Sequence, residues 1–263
     1  MKQKRILSSI FVYAVLFVLM ICSVYAIQAV DMGSALAFGV LGGQTVTNTG
    51  VTVISGDLGV SPGNAITGFP PGIVTKGTTH VADAVALHAQ NDVTTAYNSL
   101  AGQACGTDLT SQDLGGLTLT PGVYCFSSSA QLTGTLTLNA EGDPNAIWVF
   151  KTGSTLTTAS ASSVDIINGA SPCNVFWQIG SSATIGTKSD FKGNIFALTS
   201  ITFNTGANLK GRALARNGAV TLDTNNIDSS SCSTPVDTIP EFGLIAMGIV
   251  IVGALGIFLY KRH

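Results

Sequence analysis

Residues 173–228 contain one unit written three times. Residues 173–192 read CNVFWQIGSSATIGTKSDFK, residues 193–210 GNIFALTSITFNTGANLK and residues 211–228 GRALARNGAVTLDTNNID, giving lengths of 20, 18 and 18. A short, repeated period dictates stacking, because one such unit cannot bury its apolar side alone and must lie on the next copy. Each copy holds an apolar stretch, a small or polar corner, a second alternating stretch and another polar corner, which is one turn of a β-solenoid. The unit continues upstream with insertions, as GVYCF and LTGTLTL, then AIWVF, STLTT and VDII. Alternate residues of a strand point to opposite faces. Aligning the copies therefore predicts one inward column at Val123, Ile147, Val175, Ile195 and Ala213, and a second at Leu136, Leu156, Ile185, Phe203 and Leu222. Their neighbours Thr135, Thr155, Thr184, Thr202 and Thr221, with Thr137 and Thr157, then point outward. The alignment slips by one residue between the last two copies.

The chain is 263 residues long, with a net charge of −2 and only 10% charged residues, so it has no basic stripe with which to neutralise phosphates, and nucleic acid is not an expected partner. Glycine is abundant and threonine about as common, suiting tight corners and β faces. Both ends read as targeting segments. Lys2, Lys4 and Arg5 precede an apolar stretch over residues 6–21, with small residues at Ala26 and Ala29, so residues 1–29 are expected to be a removed signal peptide. Residues 229–239 form a Ser/Thr/Pro linker. Residues 242–260 carry no charge over a bilayer-spanning length and are followed by Lys261, Arg262 and His263, which places the body outside the cell.

Beyond Cys22, the chain has Cys105, Cys125, Cys173 and Cys232, an even number in an exported chain. Of the three pairings, Cys105–Cys125 closes a short loop and is favoured, leaving Cys173–Cys232. That second bond has a difficulty: stacked in order, the two cysteines lie several layers apart, so the tail must fold back. Free thiols are the alternative.

Between two β-rich segments the period changes. Val81, Val85, Ala89, Val93, Ala96 and Leu100 recur at helical spacing, predicting a helix over about residues 80–101, capped by Thr78 or Thr79 and ended by Gly102. Such a helix would lie along one side of the solenoid, leaving the other faces open. Residues 31–77, with Thr45-Val46-Thr47 and Val51-Thr52-Val53-Ile54, read as further rungs, and Pro62, Pro70 and Pro71 mark loops.

Motifs for chemistry are missing. His80 and His88 sit eight apart on the expected helix, whereas helical metal pairs are four apart. No nucleophile elbow, phosphate loop or zinc motif occurs. Asp223, Asn225 and Asp228 lack the further oxygens of a calcium loop. Trp148 and Trp177 fall in apolar strand segments, where packing explains them better than sugar stacking. The chain is not expected to be an enzyme or to need a cofactor or metal. What remains is a grid of methyl and hydroxyl groups on adjacent rungs, about 4.8 Å apart along the stack and about 6.7 Å along each strand, nearly free of charge. Such a grid can order water.

The residues Gly56-Asp57-Leu58-Gly59-Val60, Asp108-Leu109-Thr110, the run DLGGLTLTPGVY at residues 113–124, Asp143-Pro144-Asn145-Ala146, Asn174-Val175-Phe176-Trp177-Gln178, Gly193-Asn194-Ile195 and the run GRALARNGAVTL at residues 211–222 resemble the microbial ice-binding domain family with the type-1 ice-binding fold (DUF3494). The resemblance covers about residues 36–228. It implies a mainly β fold: a discontinuous, right-handed, triangular β-solenoid over residues 31–228 with one long α-helix packed along its side, and a flat Thr/Ser/Ala-rich face that contacts ice. The resemblance and the outward column make Thr135, Thr137, Thr155, Thr157, Thr184, Thr202 and Thr221 the candidate ice-binding residues. Some relatives carry Thr-Gly/Ala-x-Thr/Asn on that face. Here residues 152–155 and 205–208 match and most other rungs do not, which makes Thr152, Thr205 and Asn208 a second candidate face. Pro240-Glu241-Phe242, the apolar run and the basic tail together resemble the PEF-type sorting signal of archaeal surface proteins. That likeness implies an archaeosortase-like processing enzyme and a C-terminal membrane or lipid anchor. Two readings follow: a surface-anchored ice-binding protein that adheres to ice or restrains its growth and recrystallisation, or a surface adhesin that uses the same solenoid to hold polysaccharide or protein.

Overall fold

The computed structural model describes residues 30–232. The expected signal peptide, most of the linker, Pro240-Glu241-Phe242 and the apolar run lie outside the described residues. Among those described, no helix is long and apolar enough to cross a membrane.

Every paired strand runs parallel to its neighbours, as stacked coils require. Each full coil contributes three strands rather than the two read from the repeat, and so builds three faces. In the repeat region one coil runs through Val175–Ile179, Ala183–Ile185 and the first half of Asp190–Ala197. The strand Asp190–Ala197 then turns a corner at Gly193 and begins the next coil, and Asn208–Ala215 does the same at Gly211. Glycine is needed at both corners. Gly211 has φ 144°, and a Cβ there would lie 2.0 Å from the Gly193 carbonyl oxygen.

The stacking order does not follow the chain. The strands Phe38–Gly42, Thr45–Thr49 and Val53–Ser55 form a coil that pairs directly onto the last C-terminal one, through Val40 against Ala213, Thr47 against Thr221 and Ile54 against Ile227. Residues 57–75 add the next coil, and Thr79–Val81 adds an edge strand beside Leu58–Val60. The chain then enters helix α1 (Ala84–Gly102). The discontinuity is thus a seam between residues about 175 apart in sequence, closed by backbone hydrogen bonds on all three faces.

α1 starts later than its apolar spacing suggests. Thr79–Val81 is spent on the edge strand, Ala82 takes φ 49°, and Asp83, not threonine, caps the helix by accepting a hydrogen bond from the Ala86 amide at 2.8 Å. That backbone hydrogen bond, with one from His80, holds the Asp83 carboxyl below its ordinary range. Val81 and Val85 are consequently exposed, and His80 lies off the helix. The buried face is Ala86, Ala89, Gln90, Val93, Ala96, Tyr97 and Leu100. It packs on outward residues of one solenoid face: Val123, Val149, Phe176, Phe196, Leu214 and Leu41.

This packing corrects the first inward column. Val123 faces the helix and Ile147 packs on the same layer, while Val175, Ile195 and Ala213 face the solenoid interior. The inward column on that face is Tyr124, Phe150, Trp177, Ile195, Ala213, Val40 and Leu58, partners in successive rungs. Tyr124 and Phe150 stack at 5.4 Å and Phe150 and Trp177 at 4.1 Å. Both tryptophans are fully buried, their indole N–H groups donating to the carbonyls of Leu119 and Lys192. Burying each large apolar side chain contributes roughly 1.5–3 kcal/mol. The second expected column is buried throughout but is not one column. Leu136 lies on a different face, opposite Val164. Leu156 stacks with Ala183, Ile201 and Val220, and Ile185 with Phe203, while Leu222 sits opposite Asn48.

Both disulfides are formed. Cys105–Cys125 has a Cα–Cα distance of 5.9 Å and Cys173–Cys232 of 5.0 Å. The layer difficulty is resolved by two short 3₁₀ turns at one corner, Pro172–Asn174 and Ser230–Cys232, which bring the two chain segments together across the coil edges.

Candidate functional site

With α1 over one face, two faces remain open, and their chemistry differs. The first is a seven-stranded sheet in the order Ala130–Leu132, Leu156–Thr158, Ala183–Ile185, Ile201–Phe203, Val220–Asp223, Thr45–Thr49 and Ala65–Thr67. The strands alternate, with the inward apolar residues sealed except at the edge strand Ala65–Thr67, where Ile66 is half-buried. The outward residue at the centre of each rung is Gln131, Thr157, Thr184, Thr202, Thr221, Thr47 and Thr67 in turn. Six consecutive rungs thus present a threonine in one line, with Thr47 Oγ1 donating to Thr221 Oγ1 across the seam at 3.4 Å. Strand entries add Thr155, whose hydroxyl donates to Ser129 at 2.9 Å, together with Ser182, Ser200, Ala219 and Thr45. The seven strands hold a single ionisable side chain, Asp223, at the face's margin, where it accepts hydrogen bonds from Thr205 and Thr224. β-branched threonine has little χ1 freedom in a strand, so this grid is stiff before anything binds it.

The second open face has ionised rungs and a groove. One line runs Thr135, Ser163, Asp190, Asn208, Asn226, Val53 and Ile73, and the parallel line includes Thr137, Asp165, Lys192, Lys210, Asp228, Ser55 and Thr75. Lys192 Nζ pairs with Asp165 Oδ1 at 2.9 Å, and Asn208 donates to Asp190 at 3.1 Å. A depression of about 450 Å³ runs between Ser163, Asp190, Lys192, Asn208, Lys210 and Asp228. Five charges and a groove make this face unlike its neighbour.

The structure accordingly divides the candidate residues. Thr155, Thr157, Thr184, Thr202 and Thr221 share the first open face. Thr135 and Thr137 belong to the charged face, because residues 122–139 supply three strands and the LTGTLTL run straddles a corner at Gly134. Thr152, Thr205 and Asn208 share no face. Thr152 is buried at a corner, bonded to the Ser154 carbonyl; Thr205 is an exposed corner residue tied to Asp223; and Asn208 lies on the charged face. Thr45, Thr47 and Thr67 were missed. Their signal was present in the alternation of Thr45-Val46-Thr47 and Ala65-Ile66-Thr67, but only the seam places them beside Thr221.

Asn225 is buried, giving its amide to the carbonyls of Asn204 and Ala207, so it serves the corner. Among the described residues no group of three or more His, Cys, Asp or Glu is placed to hold a metal ion. Thr95, on the exposed side of α1 with its hydroxyl bonded to the Asn91 carbonyl, offers a control outside both open faces. Thr95→Tyr is expected to leave stability within about 0.5 kcal/mol, as for other exposed sites, and to leave any activity of the threonine face unchanged; thermal melts and an ice assay of the variant check both.

The profile of the family described as Ice-binding-like matches residues 40–228. An ice-binding protein of Nostoc sp. (strain HG1) is 58% identical over 232 residues, covering 86% of each chain. The crystal structure of an ice binding protein from an Antarctic biological consortium superposes with a TM-score of 0.74 at 50% identity, covering 77% of this chain and 92% of that one. The ice-binding protein of the Antarctic ascomycete Antarctomyces psychrotrophicus gives 0.75 at 42% identity, covering 77% and 99%. The shared stacked coils, the helix over one face and the matched sequence together show that this chain belongs to the Ice-binding-like family.

Proposed function

We propose that this chain binds ice through the first open face, with Thr157, Thr184, Thr202, Thr221, Thr47 and Thr67 as its centre line and Thr155 and Thr45 beside it. The observation that carries the reading is the row of hydroxyls on successive parallel rungs of a sheet with one ionisable side chain at its margin. Ice offers no charge to pair with. A surface that matches it must instead hold methyl and hydroxyl groups at fixed spacing and spare itself the desolvation of ions. The charged face lacks those properties, and its groove breaks the plane. An adhesin reading has less behind it: Trp148 and Trp177 are buried and offer no platform for sugar rings. Thermal hysteresis and recrystallisation measured on the purified chain test the proposal. No effect on ice would sink it and favour the adhesin.

The same experiment tests the choice of face. Thr135→Tyr, on the charged face, is expected to leave ice activity unchanged, and a loss there as large as at Thr202 would reverse the assignment.

The finer expectation is a surface-held protein. Two disulfides fit an oxidising compartment outside the cytoplasm. Pro240-Glu241-Phe242, the uncharged run and the basic end support C-terminal sorting by an archaeosortase-like enzyme and a membrane or lipid anchor. Replacing the three motif residues with alanine is expected to leave the tail on the mature chain, read as a higher mass. An unchanged mass would argue for a plain membrane span.

A further inference from the structure

One polar side chain in the fold has a burial that neither the core nor the threonine face explains. Arg212 is fully buried, and burial pulls its guanidinium down to about 10, so it stays charged at neutral pH. Its partners are neutral oxygens rather than a carboxylate: Leu36 O at 2.8 and 3.1 Å, Cys232 O at 2.9 Å and Asn194 Oδ1 at 3.0 Å. Asn194 in turn donates to Cys173 O at 2.9 Å and Val175 O at 3.3 Å. Five segments meet here: the entry to the N-terminal coil, two successive coils of the repeat, the turn at Cys173 and the last described residue, Cys232. The disulfide Cys173–Cys232 lies in the same node and closes 59 residues of chain. Desolvating a guanidinium is costly, and satisfying four of its bonds with backbone and amide oxygens fixes all of those groups together.

We infer that this node is a mechanical latch for the C-terminal exit of the domain. Without it, the last coil is the weak point. Its final strand, Asn226–Asp228, is three residues long, and tension drawn through residue 232 would peel its hydrogen bonds from the seam one at a time. With it, a pull on residue 232 passes covalently to residue 173, two coils deeper in the stack, and Arg212 holds the seam closed on the N-terminal coil. The functional sense of the latch rests on the reading that the chain is held at its C-terminus: a pull between an anchor and an ice-bound face crosses this point. Its mechanics do not depend on that reading.

Single-molecule force spectroscopy tests it, on the chain with one handle just ahead of residue 30 and the other after His263. The parent is expected to rupture without an early step, and its unfolded length should exclude the 59 bridged residues. The double variant Cys173→Ser, Cys232→Ser should lengthen the fully unfolded chain by about 20 nm and add an early, low-force step of about 7 nm as the last coil peels away. Arg212→Lys, which keeps the charge and loses the planar fork, should lower the main rupture force while leaving the unfolded length unchanged. Circular dichroism before pulling confirms that each variant is folded, and if the serine pair does not fold, Arg212→Lys alone decides. Rupture of the folded variants at the parent's force with no early step would overturn the latch. A parent that resists peeling but is never found anchored in cells would leave the latch standing and remove only the anchoring.

Discussion

Thr202→Tyr is expected to abolish thermal hysteresis and recrystallisation inhibition while leaving the fold intact. Thr202 stands at the middle of the centre line, between Thr184 and Thr221 on adjacent rungs, and is itself half-buried among them. Contact with ice sums many weak interactions over a flat area, so the loss does not scale with the contacts of one side chain. A phenol ring standing proud of the grid lifts its neighbours off the lattice on both sides. Stability should change little, since the substitution lies on the solvent side of a strand whose flanks, Ile201 and Phe203, remain sealed in the core. Thr47→Tyr should act as strongly, because the seam makes it a direct neighbour of Thr221. Full hysteresis from a folded Thr202→Tyr protein would mean the wrong face has been assigned.

Leu222→Asp is expected to cost roughly 4–5 kcal/mol, combining a lost core side chain with a buried, unpaired charge. Leu222 is 1% exposed and sits opposite Asn48. The Asn48 amide already donates to the carbonyls of Gly50 and Gly68 and has no hydrogen left for a new carboxylate. The denaturation midpoint measures this cost. One residue earlier, Thr221→Asp points to solvent and should barely move the midpoint, yet it places a charge in the centre line and should suppress ice activity. The pair reads strand polarity directly: adjacent residues, the same substitution, and opposite properties lost. If Leu222→Asp were as stable as the parent, inside and outside would be exchanged.

How far the sequence reaches is visible in particular residues. The copies at residues 173–228 carry their architecture openly, because alternation within each strand fixes which side is buried. Ile185, Phe203 and Leu222 therefore lie inside, and Thr184, Thr202 and Thr221 lie outside. The one-residue slip between the last copies is also real. An extra residue in one corner sets Thr202 opposite Thr221, 19 positions on, while Ile195 and Ala213 stay 18 apart. The short loop favours Cys105–Cys125, whereas Cys173–Cys232 is left only by elimination and against the layer order, and the two corner turns are what bring it together. Further upstream the reading fails for a definite reason. Insertions change the corner lengths, and a unit read as two strands has three, so Val123 turns to the helix and Thr135 and Thr137 to the charged face. The helical period also starts too early, at Val81, because that one apolar residue of the edge strand Thr79–Val81 falls in phase with Val85 and Ala89.

Local pattern by itself determined that the chain stacks parallel rungs, that one long helix interrupts them and that the surface is poor in charge, since each is set by periodicity or composition within a few tens of residues. Only the tertiary structure decided which open face carries a line of threonines with one ionisable side chain at its margin, because faces are defined by pairing between coils, which strand alternation does not specify. The same holds for the seam. Backbone hydrogen bonds between residues some 175 positions apart carry Thr47 and Thr67 into line with Thr221, and no local signal encodes which coil end meets which. Arg212 shows the principle at a single residue: in the sequence it is one basic side chain in a strand, and only the closed seam surrounds it with Leu36, Asn194 and Cys232.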